Sequence, residues 1–264
     1  MNGKPIRVSQ VVLPEHSRIG LGFSYRRERK LHVAAVDRLL ARQCEYSRLG
    51  SGALGMAHVA DGRLQAALVV SKNANVATGA QGAANAAELA AGVGAALGCP
   101  PQDVLVTSTG VIGRQYPMER MTEGIDRLDA AGMDATLAQV AKAMMTTDTV
   151  HKTSRRSAGG ATIAGVAKGV GMIEPDMATL LTWIFTDADI AQADLDTIFR
   201  RVIARTFNSL SIDSDTSTSD SAVIFASGAA GPIDLAGFEA ALATVCLDLT
   251  KQIARDGEGA TKLL

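Results

Sequence analysis

Four short polar segments fall where apolar runs stop: Ser108-Thr109-Gly110, Thr146-Thr147-Asp148-Thr149, Asp176 to Thr179, and Asp213 to Asp220. Such ends favour sites, because a rigid element presents a residue while the adjoining loop leaves room for a ligand. Hydroxyl side chains dominate all four, and none contains a histidine. A Ser-His-Asp relay is therefore not visible. A hydroxyl nucleophile without histidine needs another base. One solution is a threonine whose own α-amine, freed by cutting the chain in front of it, takes the proton. The string KGVGMIEPDMATLL, Lys168 to Leu181, suits that chemistry. Ala178 is small, so the carbonyl before Thr179 is open to attack by the Thr179 hydroxyl. Pro175 fixes its own φ and pushes Glu174 towards extended geometry, which makes the approach rigid. The plain alternative is a structural threonine at a strand start, where threonine is at home.

The other polar groups carry the same two-sided reading. Thr109 and Gly110 suit an oxyanion hole, with a hydroxyl and a backbone N–H aimed at one point, or a turn that merely ends a strand. Lys168 sits among small residues, as a lysine reaching into a confined space would, and a carboxylate ligand would partner it. A snorkelling surface lysine is the alternative. Glu258 lies in the turn Asp256-Gly257-Glu258-Gly259, as a site carboxylate or a helix-end surface charge. SDTSTSD reads as a hydrogen-bonded turn.

The elements that must position these groups are legible from Gly52 onward, whereas residues 1–50 mix charge and apolar positions without a clear period. ALGMAHVA and LQAALVVS, split by Asp61-Gly62, predict a hairpin. SKNANVATGAQG reads as a loop and AANAAELAAGVGAALG as a helix stopped by Gly98 and Pro100. DVLVTSTG is a short strand, and Thr136 to Met145 has helical spacing. GGATIAGVAKGVGMI is strand-like, LLTWIFTDA a strand, and AVIFASG another. ADLDTIFRRVIARTFNSL is an amphipathic helix with Leu195, Ile198, Phe199, Val202 and Ile203 on one side. Phe238 to Ala254 is a long helix.

Composition bounds the rest. The 264 residues are 47% hydrophobic and 4% aromatic, which predicts a globular α/β or α+β chain of one large or two modest domains. A net charge of −1 leaves no basic surplus for phosphate backbones, so nucleic acid is not an expected partner. The most basic run, His151 to Arg156, reads as a solvated loop. Cys44, Cys99 and Cys246 are scattered singly and read as small core residues, not a disulfide framework. The histidines show no HxxxH spacing, so no metal site is expected. GxGxxG and phosphate-loop patterns are missing, so no nucleotide cofactor is expected. Nothing has the length of a membrane span or the form of a signal peptide, which predicts a cytoplasmic, membrane-free protein.

Taken together, SKNANVATG, TSTGVIGRQYPME, MTTDT, KGVGMIEPDMATLL, TFNSLSIDSDTSTSD and DGEGATK resemble the ornithine acetyltransferase (glutamate N-acetyltransferase) family of arginine biosynthesis. They occur in family order from about residue 65 onward, and residues 1–60 match only loosely. The wording of TSTGVIGRQYPME and KGVGMIEPDMATLL is similar to that of the paralogue in clavulanic-acid gene clusters. The resemblance implies a layered α+β fold of the self-cleaving N-terminal-nucleophile type. It implies cleavage between Ala178 and Thr179, with 1–178 as an α-subunit-like segment and 179–264 as the first part of a β-subunit-like segment. Thr179 matches the nucleophile, Thr109 and Gly110 the oxyanion-hole pair, and Lys168 and Glu258 further substrate contacts. Either Thr147, which we favour, or Thr146 matches another substrate position. The implied reaction is ping-pong transfer of acetyl from N-acetylornithine to glutamate through acetyl-Thr179, without a cofactor, in an α2β2-type assembly. The family continues beyond DGEGATK, so the second segment is expected to be truncated. Two other readings stay open: an N-terminal-nucleophile amidase or aminopeptidase with water as acceptor, and a truncated chain that does not turn over.

Overall fold

A parallel strand pair must be joined by a long crossover, and the first half of the fold is built on that requirement. The computed structural model describes residues 18–20, 45–47, 66–128, 135–173, 180–213 and 217–261. Strands β1 (Arg18–Gly20) and β2 (Glu45–Ser47) pair in parallel. Strand β3 (Ala66–Asn73), helix α1 (Gly79–Leu97) and strand β4 (Val104–Val111) form a second parallel unit. Helix α1 ends on Gly98 in the left-handed conformation, as the small-residue run predicts, but starts earlier, at Gly79. The described neighbour of β3 is β4; ALGMAHVA, the other arm of the expected hairpin, lies outside the described residues. Strand alternation sends Ala66, Leu68, Val70 and Val104 towards α1 and helix α2 (Met118–Ile125). Val69 and Leu105 point the other way.

The second half is a four-stranded sheet in the order β5 (Lys152–Ala158), β6 (Ala161–Lys168), β7 (Leu181–Asp189), β8 (Ser221–Pro232). The first two pairings are antiparallel and β7–β8 is parallel, joined by helix α4 (Gln192–Ala204). One face, with Ile163, Ala167, Ile184 and Ile224, packs on α4 and on helix α5 (Leu235–Asp256). All five apolar residues expected on one side of α4 are buried there. The opposite face, with Val166, Leu181, Trp183 and Val223, packs on helix α3 (Leu137–Met144) and on Val69 and Leu105 of the first unit. Thr136 and Gln139 form a reciprocal capping box that fixes where α3 begins. The layers therefore run α4/α5, sheet, α3 with β3–β4, then α1/α2, an α+β architecture.

One expectation fails. The basic run from His151 to Arg156 is not a solvated loop: Lys152 to Arg156 begin β5, and Lys152 is fully buried. The reason is a charge match made at long range. Lys152, Ser154 and Arg156 lie on the α5 face of the sheet, and α5 presents Asp256 and Asp248 to them. Lys152 Nζ lies 2.5 Å from Asp256 and 2.8 Å from Asp148. Ser154 Oγ and Arg156 both donate to Asp248. Cys246 is buried between α5 and the sheet, where burial pushes its thiol up to about 12. Cys99 packs partly buried beside α1.

Candidate active site

The β3–β4 pair and helix α3 pack side by side on one face of the four-stranded sheet, and the described candidate residues lie along one edge of that seam. Thr109 follows Leu105 and Thr107 on the side of β4 turned towards the four-stranded sheet. Lys168 follows Val166 on the side of β6 turned towards β3–β4. Both are almost fully buried, with relative exposures of 3% and 1%. Lys168 is thus not a snorkelling surface lysine.

At Gly110, β4 runs close against the backbone of β3. Its φ is +133°, and a Cβ there would stand 2.3 Å from the backbone carbon of Lys72. Only glycine tolerates both demands. Gly110→Ala is expected to lower the melting temperature and disturb Thr109, by well over 1 kcal/mol as for other residues forced into forbidden backbone; thermal unfolding checks it. The loop of SKNANVATG clamps the same spot. Lys72, Asn75 and Ala77 all carry positive φ, a concentration of strain seen at functional sites. Asn73 Nδ2 donates to the carbonyl of Gln115, and Ser108 Oγ to that of Ala74, tying this loop to β4 and to the loop after it.

Separate hydrogen bonds, joined by strand register and short stretches of backbone, run past the other candidates. Ser71 stands opposite Thr109 in the β3–β4 register, and its hydroxyl donates to the carbonyl of Met144 at 2.9 Å. Two residues on, Thr146 N–H donates to Asp148 Oδ2 at 3.1 Å. Asp148 Oδ1 accepts from Gly169 N–H at 2.7 Å, immediately after Lys168. Val170 then accepts from Glu258 N–H at 2.7 Å, and the Glu258 carboxylate lies over Gly171, about where a side chain would be. Thr109, Gly110, Thr146, Thr147, Lys168 and Glu258 are thereby brought to one edge. Thr146 is half-buried and Thr147 exposed.

Burial dominates the electrostatics. It pulls the Lys168 ammonium below its usual range, opposed by the charges of Asp148 and Asp220 and reinforced by Lys152. Burial pushes the Asp148 carboxyl up, but Lys152 and the N–H groups of Gly169 and Thr146 together hold it below the ordinary carboxylate range. Asp220 is the opposite case: burial raises it to about 7, against the pull of Leu180 N–H and Lys168. Asp213 accepts from the N–H groups of Met172 and Ile173, fixing the chain as it leaves the Lys168 loop.

Ala178 and Thr179 lie outside the described residues. Leu180, which follows them, is buried. Its N–H donates to Asp220 Oδ1 at 2.8 Å, and its carbonyl accepts from Ser221 N–H at 2.6 Å. The sequence marks Asp148 and Asp220 only as members of hydroxyl-rich segments, Lys152 only as part of a basic run, and Ser71 only as the first letter of SKNANVATG, with no individual role for any of them. Among the described residues, no three His, Cys, Asp or Glu side chains cluster as metal ligands, and no helix is long and apolar enough to cross a membrane.

Residues 53–264 match the ArgJ family. The chain belongs to the ArgJ family. It is 57% identical to the arginine biosynthesis bifunctional protein ArgJ of Rhodococcoides fascians, over 75% of this chain and 49% of that one. It is 55% identical to the glutamate N-acetyltransferase Oat2 of Streptomyces clavuligerus, over 78% of this chain and 52% of that one. The chain thus spans about half the length of the curated ArgJ relatives it matches. A solved ornithine acetyltransferase from Mycobacterium tuberculosis, complexed with ornithine, is 32% identical, with 44% of this chain and 62% of that one covered and a TM-score of 0.37.

Proposed function

We propose that this ArgJ-family chain cuts itself between Ala178 and Thr179 and then moves an acetyl group from N-acetylornithine to glutamate by a ping-pong route. In the cut, Thr179 Oγ attacks the Ala178 carbonyl, the peptide C–N bond breaks, and water hydrolyses the resulting ester. Thr179 is left with a free α-amine. That amine takes the hydroxyl proton as Oγ attacks the acetyl group. Ornithine departs with the proton, and the amine of glutamate then collects the acetyl from Thr179. Each tetrahedral intermediate carries an oxyanion, for which the Thr109 hydroxyl and Gly110 N–H are the donors.

The observation that carries this reading is the gathering of Thr109 and Gly110 with two opposite charges, Lys168 and Glu258, along one edge. An amino-acid ligand is a zwitterion, so Lys168 meets its carboxylate and Glu258 its amine. Thr147, or Thr146 beside it, completes the substrate contacts. The cleaved chain works in the cytoplasm as an α2β2-type assembly, with no cofactor.

Intact-mass analysis with and without N-acetylornithine tests the reading. The expected result is two products, 1–178 and 179–264, with acetyl added to the second. A chain that stays whole and unacetylated would overturn it. Measuring transfer to glutamate against plain hydrolysis of N-acetylornithine separates a transferase from an amidase. Thr109→Ala is expected to lower kcat by about 10²–10³, roughly 3 kcal/mol, as for other single oxyanion donors; steady-state kinetics checks it.

A further inference from the structure

Two of the substrate candidates hang from one buried carboxylate. Asp148 Oδ2 accepts from Thr146 N–H at 3.1 Å, which turns the chain tightly and leaves Thr147 exposed at the apex. Asp148 Oδ1 accepts at 2.7 Å from the N–H of Gly169, the residue directly after Lys168. Thr146 stands just past the end of α3 and Gly169 just past the end of β6, so neither N–H belongs to a helix or a strand. Lys152 holds Asp148 from behind, giving its three N–H groups to Asp148 Oδ1, the Val150 carbonyl and Asp256 Oδ2.

Stability alone is a poor reason for such a cluster, because apolar residues of similar volume often serve as well as a buried ion pair. Its place in the fold supplies a better one. The two segments that Asp148 joins are the ones that carry Thr146 and Thr147 on one side and Lys168 on the other. We propose that Asp148 is a positioning residue for substrate binding: it fixes the spacing between the Thr146–Thr147 corner and Lys168, so that hydroxyl and ammonium meet one amino-acid ligand together. The inference rests on the substrate contacts proposed above. Burial pulls the Lys168 ammonium below its usual range, and the charge of Asp148 is the first influence opposing it, so the same carboxylate also favours the cation that a ligand carboxylate needs.

Asp148→Asn keeps the size of the side chain but offers one accepting oxygen where Asp148 uses two. Its amide NH₂ would face a donor whichever way it turned, so one of the two segments is released. L-Ornithine is the probe, read by titration calorimetry. Its Kd is expected to rise about tenfold or more in Asp148→Asn, the scale seen when the group that orients a metal ligand is lost. The KM for N-acetylornithine is expected to rise likewise with kcat changed much less, as when binding contacts are lost rather than contacts made only in the transition state. Asp256→Asn removes the charge on the other side of Lys152 but leaves both main-chain bonds of Asp148 in place. It is expected to lower the melting temperature while ornithine affinity stays near that of wild type. Equal losses of affinity in the two variants, or none in Asp148→Asn, would overturn the proposal. Amide hydrogen exchange of the wild-type chain gives a readout that needs no variant to fold. Saturating L-ornithine is expected to slow exchange at both Thr146 and Gly169, and slowing at one or neither overturns the proposal. If the wild-type chain cuts itself and transfers acetyl while Asp148→Asn binds ornithine normally, only the role of Asp148 falls. If the wild type binds ornithine but neither cuts nor transfers, the proposed reaction falls and the affinities of the two variants still decide the role of Asp148. If the wild type takes up no ornithine, both fall.

Discussion

A Thr179→Ala chain is expected to remain a single polypeptide, to take up no acetyl group, and to lose about 10⁴-fold or more of the transfer rate, the scale seen when a covalent nucleophile is removed elsewhere. The effect would be large because the proposed mechanism asks one side chain to act twice, first on its own chain and then on the substrate. It exceeds the loss expected for Thr109→Ala, since on the proposed mechanism an oxyanion donor would only stabilise a charge whereas Thr179 would carry the covalent intermediate. Thr179→Ser keeps a hydroxyl and an α-nitrogen, so it is expected to cut and to transfer, more slowly. Intact mass over a time course, followed by transfer assays on the same samples, checks both variants. Equal rates for wild type and Thr179→Ala would remove Thr179 from the chemistry.

The second large effect is on stability. Lys152 is fully buried and bridges Asp148 and Asp256, whose side chains are 0% and 3% exposed. Lys152→Ala would leave two carboxylates out of water with their cation gone. Breaking a buried ion pair from one side costs roughly 3–5 kcal/mol, which for a chain of this size lowers the melting temperature by about 10 °C. The wild-type pH dependence follows from the direction of the shifts. Burial pushes the Asp256 carboxyl up, yet the bonds from Lys152 and Thr149 outweigh it and hold it below its ordinary range, as for Asp148. Both therefore add stability above the ordinary carboxylate pKa of about 3.9 and lose it as pH falls below that. Thermal unfolding from pH 7 to pH 3 is expected to show a steep loss in wild type and a shallower one in Lys152→Ala. Equal slopes would mean that the cluster does not control acid stability.

How legible these parts were from the chain depends on the range of the cause. Helix α4 announces itself because its apolar residues recur at helical spacing, and β7 because LLTWIFTDA is a dense apolar run. The start of α3 is local too, written in Thr136 and Gln139. Strand β5 is different. KTSRRSA has no apolar alternation, and it is a strand because α5, about a hundred residues later, brings Asp248 and Asp256 to its polar face. No local pattern announces a match made over that distance. The same holds for the site. Thr109, Gly110, Lys168 and Glu258 could be named as candidates from motifs, but Asp148 and Asp220 become distinct from neighbouring turn residues only once Gly169 and Leu180 are seen donating to them.

The order of strands in the four-stranded sheet sets what a cut before Thr179 would yield. Strands β5 and β6 would belong to one product, and β7, β8, α4 and α5 to the other. The β6–β7 ladder runs from Ile163 opposite Thr186 to Lys168 opposite Leu181, so every rung of it would span the two products. Helix α5, on the second product, covers residues of both. Neither product would own a complete sheet, and each bare strand edge would be a template for wrong pairing. The halves would behave as complementing fragments with one folding transition between them. Their stability would then depend on protein concentration, as it does for an obligate dimer.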